Sequence, residues 1–199
     1  MKLDRNFFIR DAETVAKELL GKVLVINKNN IEMKAMITEA EAYIGPEDKA
    51  SHAYNGRRTD RTETMFMDPG TVYVYLTYGM YNMLNIVTGE KEFPAAVLIR
   101  GAKPISDLNI FSKNRYGENF ENLTTSKKKN LMNGPGKLTA AFGIDRSFDK
   151  KTVLSNEMYI EDYGLNDFKI ENSKRIGIDY SEEWKDKLLR FYIDVGTSL

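Results

Sequence analysis

Residues 71–86 read "TVYVYLTYGMYNMLNI" and hold four of the chain's 11 tyrosines. Side chains alternate across a strand, so Tyr73 and Tyr75 fall on one face and Val72, Val74 and Leu76 on the other. One aromatic face against one aliphatic face is ordinary for a sheet, and β-propensity favours tyrosine. The alternation breaks at "TYGMY", where Gly79 permits a tight turn or bulge. Residues 71–77 and 81–87 are therefore expected to be two strands of a hairpin. Tyr78 sits at its tip, where a ring is poorly buried and polar residues are usual. Wedges inserted between base steps are large side chains on such projections.

The same short connections run outward in both directions. "DPG" at 68–70 is a turn, and "AAVLIRG" reads as a buried strand after the loop "TGEKEFP". Upstream, "KVLVIN" is a buried strand and "KNN" a turn. From Ile31 to Ile44 the pattern alternates and places Ile31, Met33, Ala35, Ile37, Glu39, Glu41 and Tyr43 on one face. Asp11 caps a short helix with Ala12, Val15 and Leu19 on one side, stopped by Gly21. Pro46 in "GPED" is expected to open another helix. Residues 105–132 begin helical and become a polar loop, with "SKKKN" solvated. "NGPGKLTAAFGI" places a turn before a short helix, and "TVLSNEMYIED" and "LLRFYIDV" are late strands. Helices of crossover length between strands are scarce. The expected fold is a mixed α/β (α+β) single domain over 1–199, with a curved, largely antiparallel sheet and surrounding helices.

Composition narrows the function classes. The 199 residues include no cysteine and a single histidine, His52. That excludes disulfides, thiolate metal sites and a multi-histidine site within one chain. No apolar run reaches signal-peptide or membrane-span length, so a soluble, cytoplasmic protein is expected, with no membrane partner. Net charge is zero, with 29 basic and 29 acidic residues. The charge is uneven: residues 101–152 carry a net +5, residues 153–199 a net −4, and residues 49–61 a net +3. A neutral total can hide a basic face.

Several residues could carry chemistry. Glu41 is a carboxylate on the apolar face of a strand, costly unless paired or raised in pKa, and a raised pKa suits a general base. Glu39 shares its face, Tyr43 follows, and His52 lies one short segment away, so a carboxylate stands beside two flat rings. The plain alternative is a solvated strand end. Asn85 and Arg100 interrupt apolar strands, and a buried Arg100 needs Glu41 or Glu39 as its partner. "GPGK" with Lys137 lacks the Walker spacing, although a helix N-terminus with a lysine can hold a phosphate. Two other readings fit these residues: a Mg²⁺-dependent hydrolase using Glu39 and Glu41, and an RNA- or protein-binding domain with a tyrosine-rich face.

Taken together, "EAEAYIGPEDKASH", "MFMDPGTVYVYLTYGMYNMLNIV", "AVLIRGAKP", "NGPGKL" and "RIGI…W…LLRFY" closely resemble the alkyladenine (3-methylpurine) DNA glycosylases. The match keeps the family's order from about residue 5 to 193. The resemblance implies an α/β domain with a projecting hairpin that removes alkylated or deaminated purines from double-stranded DNA. It implies no cofactor, metal or covalent lysine intermediate, and association with the nucleoid of a bacterial-type cell; the oligomeric state stays open, although a monomer fits a DNA clamp of this size. Glu41 matches the general base that activates water, and Arg100 the residue that helps hold that water. Tyr43, His52 and Tyr75 match the rings around the extruded base, and Leu98 is expected to bind substrate in the same pocket, whose shape depends on the packing behind Tyr75, Asn85 and Leu98. Tyr78 matches the residue that fills the gap in the duplex, and Asn85 one that disfavours the exocyclic amine of guanine. On this reading Tyr73 and Tyr81 only pack. The long basic N-terminal extension of some animal members is lacking. 3-Methyladenine, 7-methylguanine, hypoxanthine and ethenoadenine all remain open as the preferred lesion, and the rival to a glycosylase is a non-catalytic reader of damaged DNA, against which the intact Glu41 argues.

Overall fold

A computed structural model describes residues 1–194. Two short helices come first, α1 (Arg5–Phe8) and α2 (Ala12–Leu19). The Asp11 side chain caps α2 by accepting the Thr14 N–H, and Gly21 follows at φ +79°. Strands β1 (Val23–Lys28) and β2 (Ile31–Tyr43) turn at Asn29 and Asn30, both at positive φ. Next come β3 (Val72–Thr77), β4 (Tyr81–Thr88) and β5 (Ala95–Pro104), then α3 (Leu108–Tyr116), α4 (Thr125–Lys129) and α5 (Pro135–Phe142). The described chain ends with β6 (Met158–Glu161), β7 (Ile170–Ser173) and β8 (Arg190–Ile193).

All pairings are antiparallel, in the order β3-β4-β5-β2-β1-β6. The long β2 carries β5 along one edge. Its other edge holds β1 up to Met36 and then β8 from Glu39, with β7 beyond β8. The α+β, largely antiparallel expectation therefore holds. Val72, Val74, Leu84, Ile86, Val97 and Ile99 turn one face of the sheet into the main core, where α2, α3 and α5 contribute Leu19, Phe111, Leu138 and Phe142. The opposite face of β3, β4 and β5 carries Tyr73, Tyr75, Asn85, Ala96 and Leu98.

The alternation read along β2 is corrected in its second half. Met33, Ala35 and Ile37 enter the core as expected, but so do Ala40 and Ala42. The parity changes because Thr38 in β2 and Arg100 in β5 have no directly opposed partner: Ile37 faces Ala102, Glu39 faces Gly101, and Ala40 faces Ile99. One extra residue on each strand restores the register while reversing the faces. Glu41 therefore leaves the core side and pairs with Leu98 on the other face.

Three further local expectations change. No helix begins at Pro46; residues 45–53 form successive turns, closed by backbone bonds such as Ser51 N–H to Asp48 C=O. "SKKKN" is mostly the single helical turn α4, because the Thr124 hydroxyl caps it at the Lys127 N–H. Tyr81 is half exposed, with its ring base against α5: a Cβ added to Gly136 would stand 2.9 Å from the Tyr81 Cβ.

Candidate active site

The parity change on β2 opens the site. Beneath the β3–β4 hairpin lies a cavity of about 400 Å³. One wall is sheet, with Tyr43, Tyr75, Asn85, Leu98 and Arg100. The second is the loop bearing His52 and Arg61, and the third is the irregular segment Ile176, Gly177, Ile178 and Tyr180. Tyr78 lines the mouth and is 85% exposed. Seven of the eight sequence-predicted site residues thus meet at one cavity. The eighth, Glu41, lies immediately behind the wall, wholly shielded, and the groups that hold it are lining residues.

Glu41 is held on both oxygens. Oε1 accepts the Ile176 N–H at 2.8 Å. Oε2 accepts the Tyr43 hydroxyl at 3.1 Å and lies 3.3 Å from Arg100 Nη1. Arg100 Nε also donates to Glu39 Oε1 at 3.1 Å, and Arg190 Nη1 reaches the same oxygen at 3.0 Å. Burial pushes the Glu41 carboxyl above the ordinary carboxylate range, opposed by Arg100, the Ile176 N–H, Tyr43 and Arg175. A buried carboxylate with a raised pKa is the character expected of a base. The same geometry disfavours the Mg²⁺ reading: Arg100 puts a guanidinium between the two carboxylates that would share the ion. Among the described residues, no group of three or more acidic or histidine side chains could hold a metal.

The ring wall is ordered by hydrogen bonds. His52 packs edge-on against Tyr75, with ring centroids 4.5 Å apart. Its Nε2 lies 3.3 Å from Arg61 Nη2, which can only donate, so Nδ1 carries the proton of the neutral ring and donates to the Tyr73 hydroxyl at 3.0 Å. Burial, then Arg61 and Arg57, lower the His52 pKa to about 4, so the ring is neutral at physiological pH. Tyr73 is buried as expected, and burial raises its hydroxyl to about 12. Asn85 spends its amide hydrogens on the carbonyls of Tyr73 and Met83, at 3.1 and 3.2 Å, which fixes the side chain against movement.

At the hairpin tip, Tyr78 and Gly79 have φ of +50° and +68°, and the Met80 N–H closes the turn on the Thr77 carbonyl at 3.1 Å. The tip also exposes Met80. Sequence reasoning gives Arg61 only a place in the basic run 49–61, and the 176–180 segment only a part in the motif "RIGI", with no site role for either. The segment has no periodicity, and Gly177, at φ +77°, is its only local signal. No helix among the described residues is long and apolar enough to cross a membrane.

Residues 6–196 match the methylpurine-DNA glycosylase family. The chain is 55% identical to a protein of Clostridium perfringens (strain 13 / Type A) named for 3-methyladenine DNA glycosylase, covering 97% of this chain and 96% of that one. Relatives of the same name from Clostridium novyi (strain NT) and Clostridium botulinum (strain Hall) are 50% and 47% identical. The first covers 96% of this chain and 94% of its own, the second 97% and 96%. Extended over nearly the whole length, these matches agree with the aromatic cavity and its buried carboxylate: the chain belongs to the methylpurine-DNA glycosylase family.

Proposed function

We propose that this protein is a monofunctional glycosylase that extrudes an alkylated or deaminated purine from duplex DNA and hydrolyses its N-glycosidic bond. The carrying observation is a buried carboxylate, Glu41, set between Arg100 and a backbone N–H directly behind an aromatic cavity whose mouth bears the exposed Tyr78. Extrusion costs a few kcal/mol, least for a damaged pair. Stacking on Tyr43, His52 and Tyr75 offsets it by about 1–3 kcal/mol per base, and Tyr78 fills the vacated place in the stack. A neutral His52 does not repel a cationic methylpurine, while the electron-rich tyrosine faces attract one.

In the reaction the C1′–N bond breaks with its electrons leaving on the purine, and water oxygen bonds to C1′. Glu41 takes the water proton, and its charge stabilises the positive sugar that develops. Oε2 already accepts the Tyr43 hydroxyl and faces Arg100, while Oε1 accepts the Ile176 N–H and keeps acceptor capacity for the water. Asn85, fixed by its own bonds, cannot move aside for the exocyclic amine of guanine. A single-domain monomer acting on bacterial chromosomal DNA completes this reading.

The test is incubation, with chelator present, of duplexes carrying one methylated purine or hypoxanthine, followed by hot alkali. Strand breaks only after alkali are expected, the signature of an abasic product without lyase action. Binding without any abasic product would favour the non-catalytic reader.

A further inference from the structure

The Asp48–Arg175 pair lies outside the cavity lining, and no step proposed above uses it. Both side chains are fully buried, and the pair is bidentate, with Nη1–Oδ2 at 2.5 Å and Nη2–Oδ1 at 2.8 Å. A buried ion pair is weak evidence for stability, because packed apolar side chains of similar volume often do as well. What the pair touches is more informative. Asp48 also accepts the N–H groups of Ile44 and Ala50, at 3.2 and 3.0 Å, which organises the turns leading to His52. Arg175 donates to the carbonyl of Ala42, the neighbour of Glu41, at 2.9 Å. Its guanidinium lies 4.7 Å from the centroid of the Tyr43 ring. The residue after it, Ile176, gives its N–H to Glu41. Arg175 Nε is buried with no partner among the described residues, a cost that stability alone does not require.

We propose that Asp48 and Arg175 are positioning residues for excision: their pair straps the 174–178 segment to the end of β2 and so holds the Glu41 carboxylate and the Tyr43 ring in one working arrangement. This rests on Glu41 acting as the base. The charged and titratable groups facing Glu41 are Arg100 from β5, Arg175 from the strap, Tyr43 from its own strand and Tyr75 from β3, with Glu39 and Arg190 joined through Arg100. Asp48, bonded to Arg175, carries the opposite charge, so the pair as a whole is neutral. Removing either partner should move the ionisation of Glu41 in opposite directions, and rate lost in a folded double variant whose pair is replaced by apolar side chains is what a purely structural pair does not predict.

The experiment is single-turnover excision of a methylated purine against pH, with melting temperatures, for wild type, Asp48→Asn, Arg175→Met and the double variant Asp48→Leu/Arg175→Met. Glu41→Gln is run alongside. Arg175→Met removes a cation, so the acid limb should rise by about one pH unit; Asp48→Asn leaves that cation unpaired, so the limb should fall by about as much. The double variant, in which two apolar side chains replace the pair, should fold and keep the wild-type limb but lose about tenfold or more in maximal rate. Limbs that stay in place or move together, or a folded double variant at full rate, would overturn the proposal while inactive Glu41→Gln upholds the base. Active Glu41→Gln would instead remove the reading on which it rests. If the single variants do not fold, the double variant alone decides.

Discussion

His52 shows how one side chain is set by its surroundings. It is the chain's single histidine, so its imidazole gives one isolated signal to titrate by NMR. Burial and the Arg61 and Arg57 charges place its folded pKa at about 4, below the ordinary histidine value. The unfolded chain thus binds the extra proton first as pH falls from about 6.5, and folding stability supplied by the neutral ring is lost between there and about 4. The signal should titrate near 4 in the wild type and move upward in Arg61→Gln, which loses both the nearby charge and the Nε2 donor. A wild-type value near 6.5 would contradict the neutral-ring pocket. His52 was legible in the sequence as a ring near Glu41, but its tautomer was not, because Arg61 and Tyr73 reach it through folding rather than spacing.

At the level of elements, the hairpin trades stability for reach. Tyr78 holds φ at +50°, a region costing a residue with Cβ about 1–2 kcal/mol, and its ring gains little burial in return. Such strain at an exposed aromatic suggests function. Tyr78→Asn, which tolerates this conformation, should raise folding stability by about 1 kcal/mol in denaturant titration. It should also weaken binding to damaged duplex, while single-stranded substrate is affected much less. Equal loss on both substrates, or a destabilised protein, would argue against a strained wedge. The hairpin was legible because strict alternation and a Tyr-Gly tip are local signals. The reversal of faces on β2 was not. It depends on Thr38 and Arg100 both dropping out of register across two strands, an event no single-strand pattern records. Simple alternation kept Glu41 on the core side, and the paired irregularity is what delivers it, with Arg100, to the cavity.

Across the whole molecule, the site is assembled from parts distant in sequence. The sheet wall was readable from residues 41–100, and the order of motifs gave the family. The third wall was visible only as the motif "RIGI" and not as part of a site, since Ile176 reaches Glu41 over 135 positions and Arg175 reaches Asp48 over 127. Aperiodic segments carry no signal of where they will lie. These walls converge on one carboxylate, so the most direct test is Glu41→Gln, with duplex binding and single-turnover excision of a methylated purine measured on the same protein. Binding should stay within a few-fold, because the rings and the hairpin are untouched, while excision should fall by about 10²–10⁴. Excision within tenfold of wild type would contradict Glu41 as the base.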